Sequence, residues 1–143
     1  MNESTVLLVD DEVDFVEVLA ERLEARGLVV DTAENGEMAL EKAGKRPFDA
    51  ILLDMAMPGM DGIQTLKGLL QINPDLQVIL LTGRATLGQA VQAMKLGALD
   101  LLEKPVEIET LVEKIEEAAT KRSSLTERRI DDKLSDIMRK KGW

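Results

Sequence analysis

The chain has 143 residues, 45 % of them apolar, which suits one ordinary single-core domain and is too short for two comfortable ones. Without a cysteine or a histidine it has no disulfide, no thiolate or imidazole metal ligand, no imidazole base and no phosphohistidine of its own, so its chemistry must rest on carboxylates, hydroxyls and amines. The net charge of −9 argues against direct nucleic-acid binding. With no apolar run of membrane-spanning length and no signal-like start, a cytoplasmic protein without membrane contact is expected.

In chain order, Val6 to Val9 reads as a short buried strand, followed by Val13, Val16, Leu19, Ala20 and Leu23 at helical spacing until Gly27. Val29 and Val30 begin a second strand, and a weaker helix runs from about Gly36 to Ala43. Ala50 to Leu53 is a third strand. Ile63, Leu66, Leu69 and Leu70 share one helical face that Asn73-Pro74 ends. Val78 to Leu81 is the fourth strand, Leu87 to Leu96 the fourth helix with Gly97 as its cap, and Leu99 to Leu102 the fifth strand. Leu111, Val112, Ile115 and Ala119 mark a fifth helix.

Five strands alternating with five helices imply an α/β fold with a parallel sheet covered on both faces. Right-handed crossovers and this element count favour the flavodoxin-like doubly wound order 2-1-3-4-5, in which ligands bind beyond the carboxyl ends of the strands. Those ends carry Asp10 and Asp11, Asp54, Thr82 and Lys104. In this order Asp10, Asp11, Asp54 and Thr82 stand on neighbouring strands about 5 Å apart, while Lys104 reaches in from about 10 Å away. Clustered carboxylates repel unless a cation joins them, and a hard divalent ion with oxygen ligands does so; the constellation reads as a magnesium and phosphate site.

Each residue also has a plainer reading. Asp10, Asp11 or Asp14 suits capping the first helix, Asp54 suits the turn before Met57-Pro58-Gly59, and Thr82 and Lys104 are ordinary strand-end residues. The methionines at 55, 57 and 60 read as packing. The case for a site is that all the candidates fall where the sheet brings strand ends together.

At these positions the sequence resembles the receiver domains of bacterial response regulators. Asp10-Asp11-Glu12, the segment from Asp54 to Gly62, Leu81-Thr82-Gly83 and Lys104-Pro105 match that family in order and spacing over about residues 4–120. The stretch from Ala85-Thr86 through Ala93 to Ala98 and on to Lys104-Pro105 is similar to receivers of the nitrogen-regulation type. The resemblance implies a phosphoacceptor switch rather than an enzyme. Asp54 takes a phosphoryl group from a sensor histidine kinase or a histidine phosphotransfer protein. The resemblance further implies Mg²⁺ held by Asp11, Asp54 and the backbone carbonyl of Ala56, with Asp10 helping through water. Lys104 pairs with the phosphoryl oxygens, Thr82 swings in to bond one of them, the domain slowly removes its own phosphate, and Lys104-Pro105 is cis.

Two positions depart from the family pattern: Leu101 stands where an aromatic is usual, and Ala56 puts no polar group beside the phosphoryl site, whereas Arg84 either reaches over it or is a solvated loop cation. Asp10-Asp11-Glu12 is unlike the phosphate loop of a flavodoxin and lacks the Asp spacing of a haloacid-dehalogenase phosphatase. A phosphorylation-independent module on the same fold commonly loses an acid or the lysine, and all are present here.

Residues 120–143 carry eight Lys/Arg against four Asp/Glu, so the first 119 residues carry −13 and a boundary is expected near Thr120. In this tail, residues 121–143, Ser124 and Glu127 have capping-box spacing, and Ile130, Leu134, Ile137 and Met138 then form an apolar stripe that Gly142 stops. A separate amphipathic helix over 125–140 is expected, either docked on its own acidic domain or paired with the same helix in a homodimer; the tail also suits the stub of a longer protein. No output domain is recognisable, so the signal is expected to leave through protein contacts or through another phosphotransfer protein.

Overall fold

In the computed structural model the described residues are 3–57, 60–84 and 86–142; Pro58 and Gly59 of the acidic segment, Ala85 and Trp143 lie outside them. The strands are β1 (Thr5–Val9), β2 (Val29–Ala33), β3 (Ala50–Asp54), β4 (Val78–Thr82) and β5 (Asp100–Glu103). Between and after them come α1 (Val13–Glu24), α2 (Gly36–Lys45), α3 (Gly62–Ile72), α4 (Leu87–Leu96) and α5 (Ile108–Lys140). All pairings are parallel and the order is β2-β1-β3-β4-β5, the sheet expected from the alternation of elements.

The short apolar runs become strands because both faces of the sheet are covered. Leu7, Val9, Ile51, Leu53, Val78 and Leu80 point to one face, against Ala39, Leu66, Leu69 and Ala93 from α2, α3 and α4. Val6, Leu8, Leu52, Ile79 and Leu81 point to the other, against Val16, Leu19, Leu23, Leu111 and Ile115 from α1 and α5. Successive strand residues alternate between these layers, so a register slip of one residue would exchange the two cores. Burying a leucine in such a layer contributes about 1.5–3 kcal/mol. Met55 and Met57 join the first layer, as the packing reading anticipated.

Local signals set the helix ends. Asp61 and Gln64 form a capping box at α3, Thr86 accepts the Gln89 amide at α4, and Gly97 closes α4 with φ 109°. Gly62 admits a close approach, since a Cβ there would lie 2.6 Å from the Met55 Cα. The start of α3 is thereby seated directly against the end of β3.

The tail differs from the expectation in one respect. Ser124 and Glu127 do not open a new helix, because α5 runs unbroken for 33 residues through Thr120 to Lys140. At 1.5 Å per residue that is about 50 Å, far longer than the strand it packs beside. Leu111, Ile115, Ala118, Arg122, Leu125 and Arg129 continue one face at alternating steps of four and three. Along that face Arg122 Nη1 lies 3.0 Å from Asp49 Oδ1, and Arg129 makes a two-pronged contact with Asp75 at 2.7 and 2.8 Å. The ends of two strands' leading loops thus hold the helix beyond the apolar core. Helix docking on the domain is therefore made by cations, and Ile130, Leu134, Ile137 and Met138 remain 38–60 % exposed.

Candidate functional site

The ladder delivers the strand-end residues to one edge. The Asp10 amide extends the β1–β2 pairing by donating to the Ala33 carbonyl at 3.1 Å. Asp54 closes β3 opposite Leu81, Thr82 is the next residue of β4, and the Lys104 amide donates to the Thr82 carbonyl at 2.7 Å. Carboxylate oxygens of Asp10, Asp11 and Asp54 all lie within 4.8 Å of one another. Lys104 Nζ sits 3.1 Å from Asp10 Oδ2 and 3.5 Å from Asp54 Oδ1. Asp10 and Asp54 are buried, while Asp11 faces solvent.

Asp10 and Asp54 also carry the local backbone contacts of their plainer readings, without a side-chain cap on α1. The N-cap of α1 is Glu12, and no side chain caps it. Asp10 Oδ1 accepts the Glu12 amide at 3.0 Å while its Oδ2 meets Lys104, and Asp54 Oδ1 faces both the Ala56 amide, at a long 3.4 Å, and Lys104 Nζ at 3.5 Å. The Lys104-Pro105 peptide is cis. The hydroxyl of Thr82 is not joined to the cluster: it donates to the Arg84 carbonyl at 3.3 Å and accepts the Arg84 amide at 3.2 Å. The Arg84 residue is exposed and makes no ion pair among the described residues. Leu101 is half-buried against the first core layer.

Electrostatics sharpen the picture. Burial raises the Asp54 carboxyl above its ordinary value, the Asp10 carboxylate adds to this, and Lys104 offsets only part. Burial disfavours the Lys104 ammonium, but the Asp10 hydrogen bond and the charges of Asp10, Asp54 and Glu12 outweigh it and hold the lysine above its ordinary range. One cation therefore serves three carboxylates, and an ionised Asp54 is costly as it stands. A hard divalent cation fits this donor set: the ligand atoms are all oxygen, mutually close, and short of positive charge.

One contact had no expectation in the sequence. Lys104 Nζ lies 4.6 Å from the centroid of the Phe15 ring, so an aromatic face on α1 backs the ammonium. Phe15 falls off the apolar spacing of α1 by one residue before Val16, and that offset was the only available hint.

The model of the response regulator receiver domain family matches residues 6–116. The transcriptional regulatory protein ZraR of Klebsiella oxytoca is 40 % identical over 113 residues, covering 79 % of this chain and 26 % of its own length. The DNA-binding transcriptional regulator NtrC of Escherichia coli is 40 % identical over 118 residues, covering 82 % and 25 %. The chain thus spans about a quarter of the length of these curated relatives. Among solved structures, a CheY-like receiver domain protein from Methanospirillum hungatei superposes with a TM-score of 0.81 at 28 % identity, covering 86 % of this chain and 98 % of that one.

Proposed function

This chain belongs to the response regulator receiver domain family of two-component systems, and from that premise we propose that Asp54 is its phosphoacceptor and that phosphorylation there switches the contacts the protein makes. The observation that carries the reading is the crowding of the Asp10, Asp11 and Asp54 carboxylates, two of which share the Lys104 ammonium.

An Asp54 carboxylate oxygen attacks the phosphorus of a phosphohistidine on a kinase or phosphotransfer partner. A P–O bond forms as the P–N bond breaks, and the departing imidazole takes up a proton. Asp10, Asp11, Asp54 and the Ala56 carbonyl would hold Mg²⁺, which when bound neutralises charge on the transferred group. Lys104, held between Asp10 and Asp54, is placed to exchange a carboxylate for a phosphoryl oxygen at little reorganisation cost. Its backing by Phe15 limits where the ammonium moves. The mixed anhydride is open to water, so slow self-dephosphorylation accompanies the switch and no other catalytic activity is assigned.

For the switch itself, Thr82 has an available motion. Among the described residues its hydroxyl is bonded to the backbone of Arg84, so turning toward a phosphoryl oxygen frees that loop, which leads into α4. On α4, Leu87, Val91 and Met94 are exposed at helical spacing, and Leu101 on the neighbouring β5, in place of an aromatic, packs into the core layer that α4 covers. Readout is therefore assigned to movement of α4 and its loop, a shift between two existing arrangements. Partner proteins at this face, and a second copy at the outer half of α5, are the contacts under control. Among the described residues no helix is long and apolar enough to cross a membrane.

The test is titration with beryllofluoride, a phosphoryl mimic, followed by amide NMR with and without Mg²⁺. Shifts at Asp54, Thr82, Arg84 and Lys104 that require both components are expected; a protein that ignores the mimic is a binding module without this switch.

A further inference from the structure

The outer half of α5 presents two different faces, about a third of a turn apart at 100° per residue. One carries Arg122 and Arg129 and is committed to Asp49 and Asp75. The other carries Glu127, Ile130, Leu134, Ile137, Met138 and Lys141, and all six are exposed. Toward the domain this second face continues into an open groove of about 520 Å³ lined by Ser4, Glu116, Thr120, Ser123 and Glu127. So the face is acidic and hydroxylated at its base, apolar in its middle and ends on the cation of Lys141.

We infer that this face pairs with the same face of a second copy in antiparallel orientation, with Leu134 at the two-fold centre and Lys141 of each helix beside Glu127 of the other, at the outer rim of its groove. The inference rests on the reading of α5 as the homodimer contact and adds its direction. Charge decides the direction. In a parallel pair Glu127 faces Glu127 and Lys141 faces Lys141; in the antiparallel pair centred on Leu134 each Glu127 meets the second copy's Lys141, twice over. The apolar residues then meet as Ile130 against Ile137 and Met138 on both sides. Ridge spacing of three and four residues suits such a helix seam. The excess charge agrees, since a body of −13 receives a tail of +4. An anionic membrane is a poorer occupant, because Asp131, Asp132 and Asp136 interrupt the cations around the stripe.

The absence of cysteine makes the test direct. Sedimentation equilibrium of the full chain should show a dimer that Leu134→Glu converts to monomer. Under oxidation, Leu134→Cys should cross-link with itself, Glu127→Cys should not, and a mixture of Glu127→Cys with Lys141→Cys should give the mixed dimer. Glu127→Lys should weaken the dimer about fivefold, and adding Lys141→Glu should restore it. Self-cross-linking of Glu127→Cys, with charge swaps silent, would overturn the antiparallel arrangement while leaving the homodimer standing. A full chain that is monomeric at high micromolar concentration, or that instead co-sediments with anionic vesicles, would overturn both.

Discussion

Asp54 and Asp75 are both buried aspartates beside strands of one sheet, at its opposite ends, and their carboxyls are shifted in opposite directions. Burial and the Asp10 charge raise Asp54. The Arg129 hydrogen bond lowers Asp75, burial opposing it. The difference lies in partners. Asp75 has a guanidinium to itself, and Asp49 likewise takes Arg122. Asp54 shares one ammonium with Asp10, with Asp11 close by. A carboxylate with its own planar partner is a fastening, whereas one in an under-compensated cluster is open to a cation and to an incoming phosphoryl group.

The largest expected effect comes from removing the shared cation. Lys104→Ala should weaken the beryllofluoride response about ten- to a hundredfold, the range for losing a charge-assisted hydrogen bond, while the fold persists. An unchanged titration curve would mean that the cluster does not depend on its lysine. Next come the two aspartates themselves, compared by melting without divalent metal. Asp54→Asn should raise the melting temperature, since it removes a carboxylate whose ionisation costs stability; Asp75→Asn should lower it, since it breaks the Arg129 contact. Equal signs would dissolve the contrast.

The fold expected from the sequence was legible because its determinants are local. Apolar runs, the Asn73-Pro74 stop and the Gly97 cap each act within a few residues, and α4 falls on the expected Leu87–Leu96. The site was legible because the sheet order converts strand ends into neighbours. What links distant residues left no periodic trace. Arg129 and Asp75 are 54 residues apart, and Arg122 and Asp49 are 73 apart. The polar stretch from Thr120 to Ser124 hides the continuity of α5, while Ser124 and Glu127 imitate a helix start. A signal did exist: Arg122, Leu125 and Arg129 keep the step of Leu111, Ile115 and Ala118, with cations replacing apolar residues as the helix leaves the core. The parked hydroxyl of Thr82 and the Phe15 ring over Lys104 depend on side-chain geometry that spacing does not encode.

A smaller effect separates the two ends by pH. Asp75 is lowered from 3.8, so its contribution is present above that value and lost as pH falls through its folded pKa. Amide exchange in residues 122–140 should accelerate in that acid range before the sheet amides follow, and Arg129→Ala should remove the step. Loss of both regions together in wild type would show that Arg129 does not hold the helix. The smallest effect is at Phe15. Phe15→Leu keeps an apolar body but removes the aromatic face, worth about 0.5–1 kcal/mol, so beryllofluoride affinity should fall about two- to fivefold and Phe15→Tyr should recover it. A leucine variant indistinguishable from wild type would reduce Phe15 to packing.

The most direct measurement is intact-mass and peptide mapping after incubation with acetyl phosphate and Mg²⁺, on the wild type, Asp54→Asn and Asp75→Asn. One phosphoryl group on Asp54 in the wild type and Asp75→Asn proteins, with none on Asp54→Asn, is the predicted result. Full labelling of Asp54→Asn at a site mapped elsewhere, or an unlabelled wild type, would contradict the assignment of Asp54 as phosphoacceptor.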